Sequence, residues 1–260
     1  MSGWVERSID IGGEPLVLLE AGKGRPLLIL HDELGPADWQ VWHEKAVAAG
    51  RKLIMPVLPG FRSDRLKWIR DVRDLASFLG RVLRQEDLVP VDVIGFSFGG
   101  WLAAEMAVAN PGQFRKMALV APFGIKPAEG YITDMFIVTS AEYIRMSFAD
   151  AAATPEFSAL YGSPDPQTIE GWEDARRECA EIAWQPYMHS PSLDHLLGGV
   201  GALPVLLLWG DKDAIVPESA MRAYEKALPH AEVEVFAGCG HRPELERRED
   251  FTAHLTRFLD

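Results

Sequence analysis

The chain has 260 residues, enough for one large core, and 48% of them are hydrophobic against 25% charged, the balance of a folded globular protein. A formal charge of −12 argues against nucleic acid, whose binding needs clustered Lys and Arg. No apolar run reaches the roughly 18 residues of a membrane span, and the charged residues 1–10 lack a signal-peptide core, so a cytoplasmic protein is expected. The two cysteines, Cys179 and Cys239, show no metal-ligand or redox spacing and are expected to be free thiols.

Residues 4–11 and 16–20 are strand-like around Gly12-Gly13, which predicts a hairpin. Residues 27–30 form a short, continuously apolar strand, as in a sheet covered on both faces. A helix over 39–49 and a strand over 52–55 follow. Val72, Leu75, Ala76, Leu79, Val82 and Leu83 recur at three and four, the spacing of an amphipathic helix. Residues 91–94 read as a buried strand, 101–109 as a helix stopped at Asn110-Pro111, and 117–120 as the next strand. The alternation breaks near Phe123 and resumes near Leu203. Between them lie helical segments, the turn-rich Gly162-Ser163-Pro164-Asp165-Pro166, and, from Gly124 to Val200, 12 acidic residues against 4 basic ones. Strands are expected again at 204–209 and 233–236. In the last of these, Glu232, Val233, Glu234 and Val235 alternate as on an exposed sheet edge. Alternating strands and helices imply a parallel sheet with crossover helices.

The chemistry centres on Gly95-Phe96-Ser97-Phe98-Gly99-Gly100, between a strand and a helix. A serine between glycines at such a junction forms a G-x-S-x-G nucleophile elbow. The tight turn strains the serine backbone and lifts its hydroxyl. The small neighbours let strand and helix approach, and the helix N-terminus offers free N–H groups. A serine hydroxyl needs a base, commonly a histidine held by a carboxylate. Of seven histidines, only His241 sits in the loop directly after the last strand, Gly238-Cys239-Gly240-His241. The acid candidates, Asp211 and Asp213, follow the preceding strand in Gly210-Asp211-Lys212-Asp213-Ala214-Ile215-Val216-Pro217.

With Ser97, Asp213 and His241 in that chain order, the chain resembles the α/β-hydrolase fold superfamily from about Arg25 to its C-terminus. Gly210, Asp213 and Pro217 match the family's G-x-x-D-x-x-x-P pattern, and Gly240-His241 its late G-H. The resemblance implies a mostly parallel twisted sheet of about eight strands with helices on both faces. It implies a core of residues 1–123 and 201–260, and a helical cap, 124–200, inserted after strand six. It implies Ser97 as nucleophile, Asp213 as acid and His241 as base, with Asp211 left as a capping or solvated carboxylate.

The family's H-G-x after strand three supplies part of the oxyanion hole. Here the chain reads His31-Asp32-Glu33, with an acid in place of the glycine. By position the Phe98 and Glu33 N–H groups are the expected oxyanion donors. The field of two carboxylates would oppose an oxyanion unless they turn away or are paired. Asp32 is expected to bond loop backbone or solvent, and His31 to be structural. The segment Met55 to Asp64 departs from the family's D-x-P-G-x-G-x-S, with Val57 at the acid's place.

The expected function is a serine hydrolase, carboxylesterase-like, acting on a small or medium-sized, largely apolar ester. It needs neither metal nor organic cofactor, and its partner is a small-molecule substrate. A carbon–carbon bond hydrolase or cofactor-free perhydrolase would use the same triad. Members cleaving carbon–carbon bonds often carry Asn where Phe96 stands. A non-catalytic ligand-binding protein on the same fold is the alternative of another class.

Overall fold

The computed structural model describes residues 3–260. Its eight strands lie in the order β1-β2-β4-β3-β5-β6-β7-β8. The hairpin β1 (Val5–Asp10) and β2 (Pro15–Gly22) is antiparallel, and β2 pairs antiparallel with β4 (Arg51–Pro56). The strands β3 (Arg25–Leu30), β4, β5 (Val91–Phe96), β6 (Phe114–Val120), β7 (Val205–Gly210) and β8 (Glu232–Phe236) pair in parallel. The mostly parallel sheet is the one expected, and the alternating β8 forms an edge.

Strand order explains the helix layers. From β3 the chain steps outward through α1 (Val41–Ala48) to β4, then returns through α2 (Val72–Gln85) to β5 on the other side of β3. Right-handed crossovers in opposite directions put α1 and α2 on opposite faces. Three further helices are α3 (Phe98–Ala109), α8 (Glu218–Ala227) and α10 (Arg248–Leu259). The first packs on α2 and the last on α1. The reversal makes β3 and β5 flank a topological switch point, where ligands bind beyond the carboxyl ends of strands. The loop His31–Gly35 and the elbow Ser97 both emerge there.

The central strands are buried almost throughout, which is why they read as unbroken apolar runs. The exception, Asp92 in β5, is buried among arginines: Arg51 Nη1 lies 2.5 Å from its carboxylate, Arg115 Nε 3.2 Å and Arg25 Nε 3.3 Å. Arg51 also donates to the Leu259 carbonyl at 2.8 Å, tying the end of α10 to the sheet. Asp71 caps α2 by accepting from the Arg73 and Asp74 N–H groups.

Between β6 and β7 lie α4 (Ser140–Met146), α5 (Pro155–Tyr161), α6 (Pro166–Ala183) and α7 (Leu193–Leu196). Ile144, Phe148 and Ala151 form a small apolar cluster with Leu245 of α9 (Pro243–Glu246), against which Phe157, Tyr161 and Trp172 pack. Four of the nine aromatic residues between positions 124 and 200 thus pack in this cluster. Boundaries differ from expectation at two helices. α1 starts two residues later than position 39, and α3 starts at Phe98, because the elbow itself supplies the first helical turn.

Candidate active site

Ser97 sits at φ +48°, ψ −109°, a strained conformation for a residue with a side chain. Its backbone is over-determined. The Ser97 N–H donates to the Val120 carbonyl at 2.8 Å, and its own carbonyl accepts from Gly100, Trp101 and Phe123. The glycines are needed because a Cβ on Gly95 would lie 2.4 Å from the Gly99 carbonyl oxygen, and one on Gly99 would lie 2.1 Å from that of Leu30. Helix α3 therefore presses against both β5 and the end of β3.

Ser97 Oγ lies 2.9 Å from His241 Nε2, and His241 Nδ1 lies 2.7 Å from Asp213 Oδ2. The other Asp213 oxygen accepts from the Ile215 and Val216 N–H groups at 2.8 and 2.9 Å, which fixes the carboxylate. With Asp213 accepting at Nδ1, the imidazole carries its proton there and offers Nε2 to the serine. Asp211 points elsewhere, its carboxylate accepting from Gly238 and Cys239 N–H groups and bracing the histidine loop. Burial alone would lower the His241 pKa. The charge and hydrogen bond of Asp213, with the charge of Glu33, outweigh it and raise the value above 6.5.

The loop after β3 brings both of its acids to this site. Asp32 accepts from the Leu34 N–H at 2.9 Å and pairs with Arg242 Nη1 at 2.8 Å, so its charge is neutralised within the protein. Glu33 is fully buried, and the Tyr143 hydroxyl of α4 donates to its Oε1 at 2.7 Å. Among the described residues neither the Glu33 N–H nor the Phe98 N–H is bonded to a protein acceptor. His31 is structural: its Nδ1–H donates to the Asp32 carbonyl, Nε2 accepts from the Leu58 N–H, and burial lowers its pKa to about 4. Cys239 and Cys179 are buried free thiols, both pushed upward in pKa by burial.

Arg242, Tyr143 and Glu244 are components that the sequence reading did not single out. Arg242 follows His241 directly, and that adjacency was the available signal. Glu244 lies 3.9 Å from Arg242 Nη1, and burial raises its pKa to about 7. A cleft of about 630 Å³ reaches Asp32 and Arg242 from solvent, with Phe61, Tyr161 and Trp172 among its other lining residues. Ser97 does not line it and is only 3% exposed. Among the described residues no group of three or more His, Cys, Asp or Glu is arranged to hold a metal ion. Likewise no described helix is long and apolar enough to cross a membrane.

The switch-point site, the elbow and the eight-stranded sheet define the class, and residues 27–254 match the alpha/beta hydrolase family. The chain belongs to that family. Among curated relatives, the dihydrolipoyllysine-residue acetyltransferase component of the acetoin cleaving system of Pseudomonas putida is 26% identical, over 99% of this chain and 70% of that protein. The 2-hydroxymuconate semialdehyde hydrolase of Pseudomonas sp. (strain CF600) is 23% identical, over 98% of this chain and 94% of that protein. Among solved structures, 2-hydroxy-6-oxo-6-phenylhexa-2,4-dienoate hydrolase from Rhodococcus sp. strain RHA1 superposes with a TM-score of 0.77. It covers 100% of this chain and 99% of that one at 21% identity, a likeness of fold.

Proposed function

We propose that the chain is a serine hydrolase that cleaves a small or medium-sized, largely apolar ester through an acyl-enzyme. The observation that carries this reading is the unbroken contact from Ser97 Oγ through His241 to Asp213, at 2.9 and 2.7 Å, on a strained elbow. His241 Nε2 takes the Ser97 proton as Oγ attacks the carbonyl carbon. Asp213 keeps the ring oriented and stabilises the imidazolium. The oxyanion is received by the Phe98 and Glu33 N–H groups. His241 then protonates the leaving alkoxide, and water deacylates the serine by the same proton path.

Residues 124–200 act in this reading as a cap that excludes water. Two contacts support it: the Tyr143 hydroxyl on Glu33, and the Ser147 carbonyl accepting the His241 N–H at 2.8 Å. The cleft ending at Asp32 and Arg242 is the proposed mouth, and substrate reaches Ser97 when the cap shifts.

The decisive test is labelling by a fluorophosphonate probe. Modification of Ser97, lost in Ser97→Ala, is the expected result, whereas a folded protein that stays unlabelled is a binding module. A second reading, hydrolysis of a carbon–carbon bond, is favoured by the end-to-end similarity to 2-hydroxymuconate semialdehyde hydrolase. Parallel assays on p-nitrophenyl esters and on a dienol-type diketone separate the two, with ester turnover expected to dominate.

A further inference from the structure

Of the unpaired polar atoms in this group, Glu33 Oε2, Glu244 Oε2, Arg242 Nε and Arg242 Nη2, the one on the residue of the proposed oxyanion donor is Glu33 Oε2. Glu33 is fully buried, its Oε1 accepts from Tyr143, and its Oε2 has no hydrogen-bond partner among the described residues. Leaving a buried carboxylate oxygen unpaired costs more than an ordinary hydrogen bond gains. Such an orphan is tolerated where a ligand completes it. Its position is informative, because the same residue offers the N–H proposed for the oxyanion. A group bonded to Oε2 therefore lies within one glutamate side chain of the substrate carbonyl.

The surrounding charge specifies what kind of donor fits. Asp32, Glu33, Asp213 and Glu244 face one guanidinium, Arg242, and one imidazole, His241. With Glu244 partly protonated near neutrality, three carboxylates still outnumber the one permanent cation. Outward from this group the cleft is lined by the exposed Asp38, Asp165, Glu170 and Asp174, with Arg62 as a cation. This wall of carboxylates ends at the Asp32–Arg242 pair, one residue from Glu33 in the chain, and its field concentrates cations. Arg242 does not fill this place: its Nη1 is committed to Asp32, and its Nε and Nη2, though also without partners among the described residues, make no bond to Glu33 Oε2.

We propose that Glu33 is a substrate-recognition residue whose free carboxylate oxygen binds an ammonium group carried on the acyl chain, a few bonds from the carbonyl under attack. The substrate is then a short aminoacyl ester, apolar apart from that cation. Tyr143 holds the other oxygen and aims the carboxylate. This deepens the hydrolase reading above and rests on it.

The test compares p-nitrophenyl β-alaninate with p-nitrophenyl butyrate, which differ by ammonium for methyl, at pH 7 with Ser97→Ala as blank. Wild type is expected to prefer the ammonium ester in kcat/KM by about 10- to 100-fold, the scale of a charge-assisted hydrogen bond. Glu33→Gln is expected to lower that ratio at least about tenfold, mostly through KM, because amide and carboxylate differ in charge and not in shape. If Glu33→Gln does not fold, Glu33→Asp carries the test, its retracted carboxylate lowering the ratio in the same way. A wild type without preference, or a ratio that neither variant moves, overturns the assignment and leaves the hydrolase reading intact. Turnover of neither ester, by a protein whose Ser97 also refuses fluorophosphonate, removes both.

Discussion

A serine at positive φ persists only when its neighbours insist on it, and here they do so from β6 and α3 at once. The elbow residues were legible in the sequence because their chemistry is local: glycines at fixed offsets, then a helix. On the proposed mechanism, Ser97→Ala and His241→Ala each lower kcat by several orders of magnitude, leaving about 10³- to 10⁴-fold catalysis over water. Burst and steady-state assays on a p-nitrophenyl ester, with circular dichroism to confirm folding, measure it. Asp213→Asn is expected to be far more damaging than Asp211→Asn, since only Asp213 touches the imidazole. The pH dependence has a defined sign. His241 must be neutral to accept a proton, and its pKa lies above 6.5. The kcat/KM profile should therefore rise through a limb displaced to the alkaline side of 6.5. A limb at or below that value would mean that Asp213 does not govern the base.

Among the elements, β5 carries two unlike tasks at its two ends. Ser97 follows its carboxyl end, while Asp92 near the other end gathers three arginines beneath the sheet. Asp92→Asn leaves Arg51, itself 4% exposed, as a buried cation without its partner. The expected cost is about 3–5 kcal/mol by urea denaturation, with kcat unchanged because the site lies at the opposite end. In the sequence Asp92 was only a polar residue inside an apolar run, since its partners stand 23 to 67 positions away. The same reasoning explains what was hidden in the site. The strands, the hairpin, the edge character of β8 and the local motifs around Ser97, Asp213 and His241 are short-range patterns. The pairing of Asp32 with Arg242 spans 210 residues and that of Glu33 with Tyr143 spans 110, so neither has a periodicity to read. Asp32 was expected to bond loop backbone or solvent. It does bond the loop, but the decisive partner is the Arg242 guanidinium, next to His241 in the chain.

For the molecule as a whole, two buried imidazoles set the acid limit. Burial lowers His31 to about 4 and His43 to about 3, against 6.5 when exposed. Below 6.5 these two rings take up protons in the unfolded chain but not in the fold, while Glu244, at about 7 in the fold, takes up one proton there; with two rings against one carboxyl, stability declines on balance as pH falls from about 6 toward 4. Tm should fall between about pH 6 and 4, and a wild-type Tm that rises over that range would show that the rings are not held neutral in the fold. A different limit follows from the bond between the Ser147 carbonyl and the His241 N–H. The peptide that presents the imidazole is hung from the segment between β6 and β7, and Glu246 grips the neighbouring turn through Ala149 and Gly240. That segment is therefore no interchangeable module. Replacing residues 124–200 by a short linker, or by the corresponding segment of a relative, should leave a sheet that still folds but a histidine loop adrift. Specificity in this chain is then open to redesign one side chain at a time, and closed to redesign by transplant.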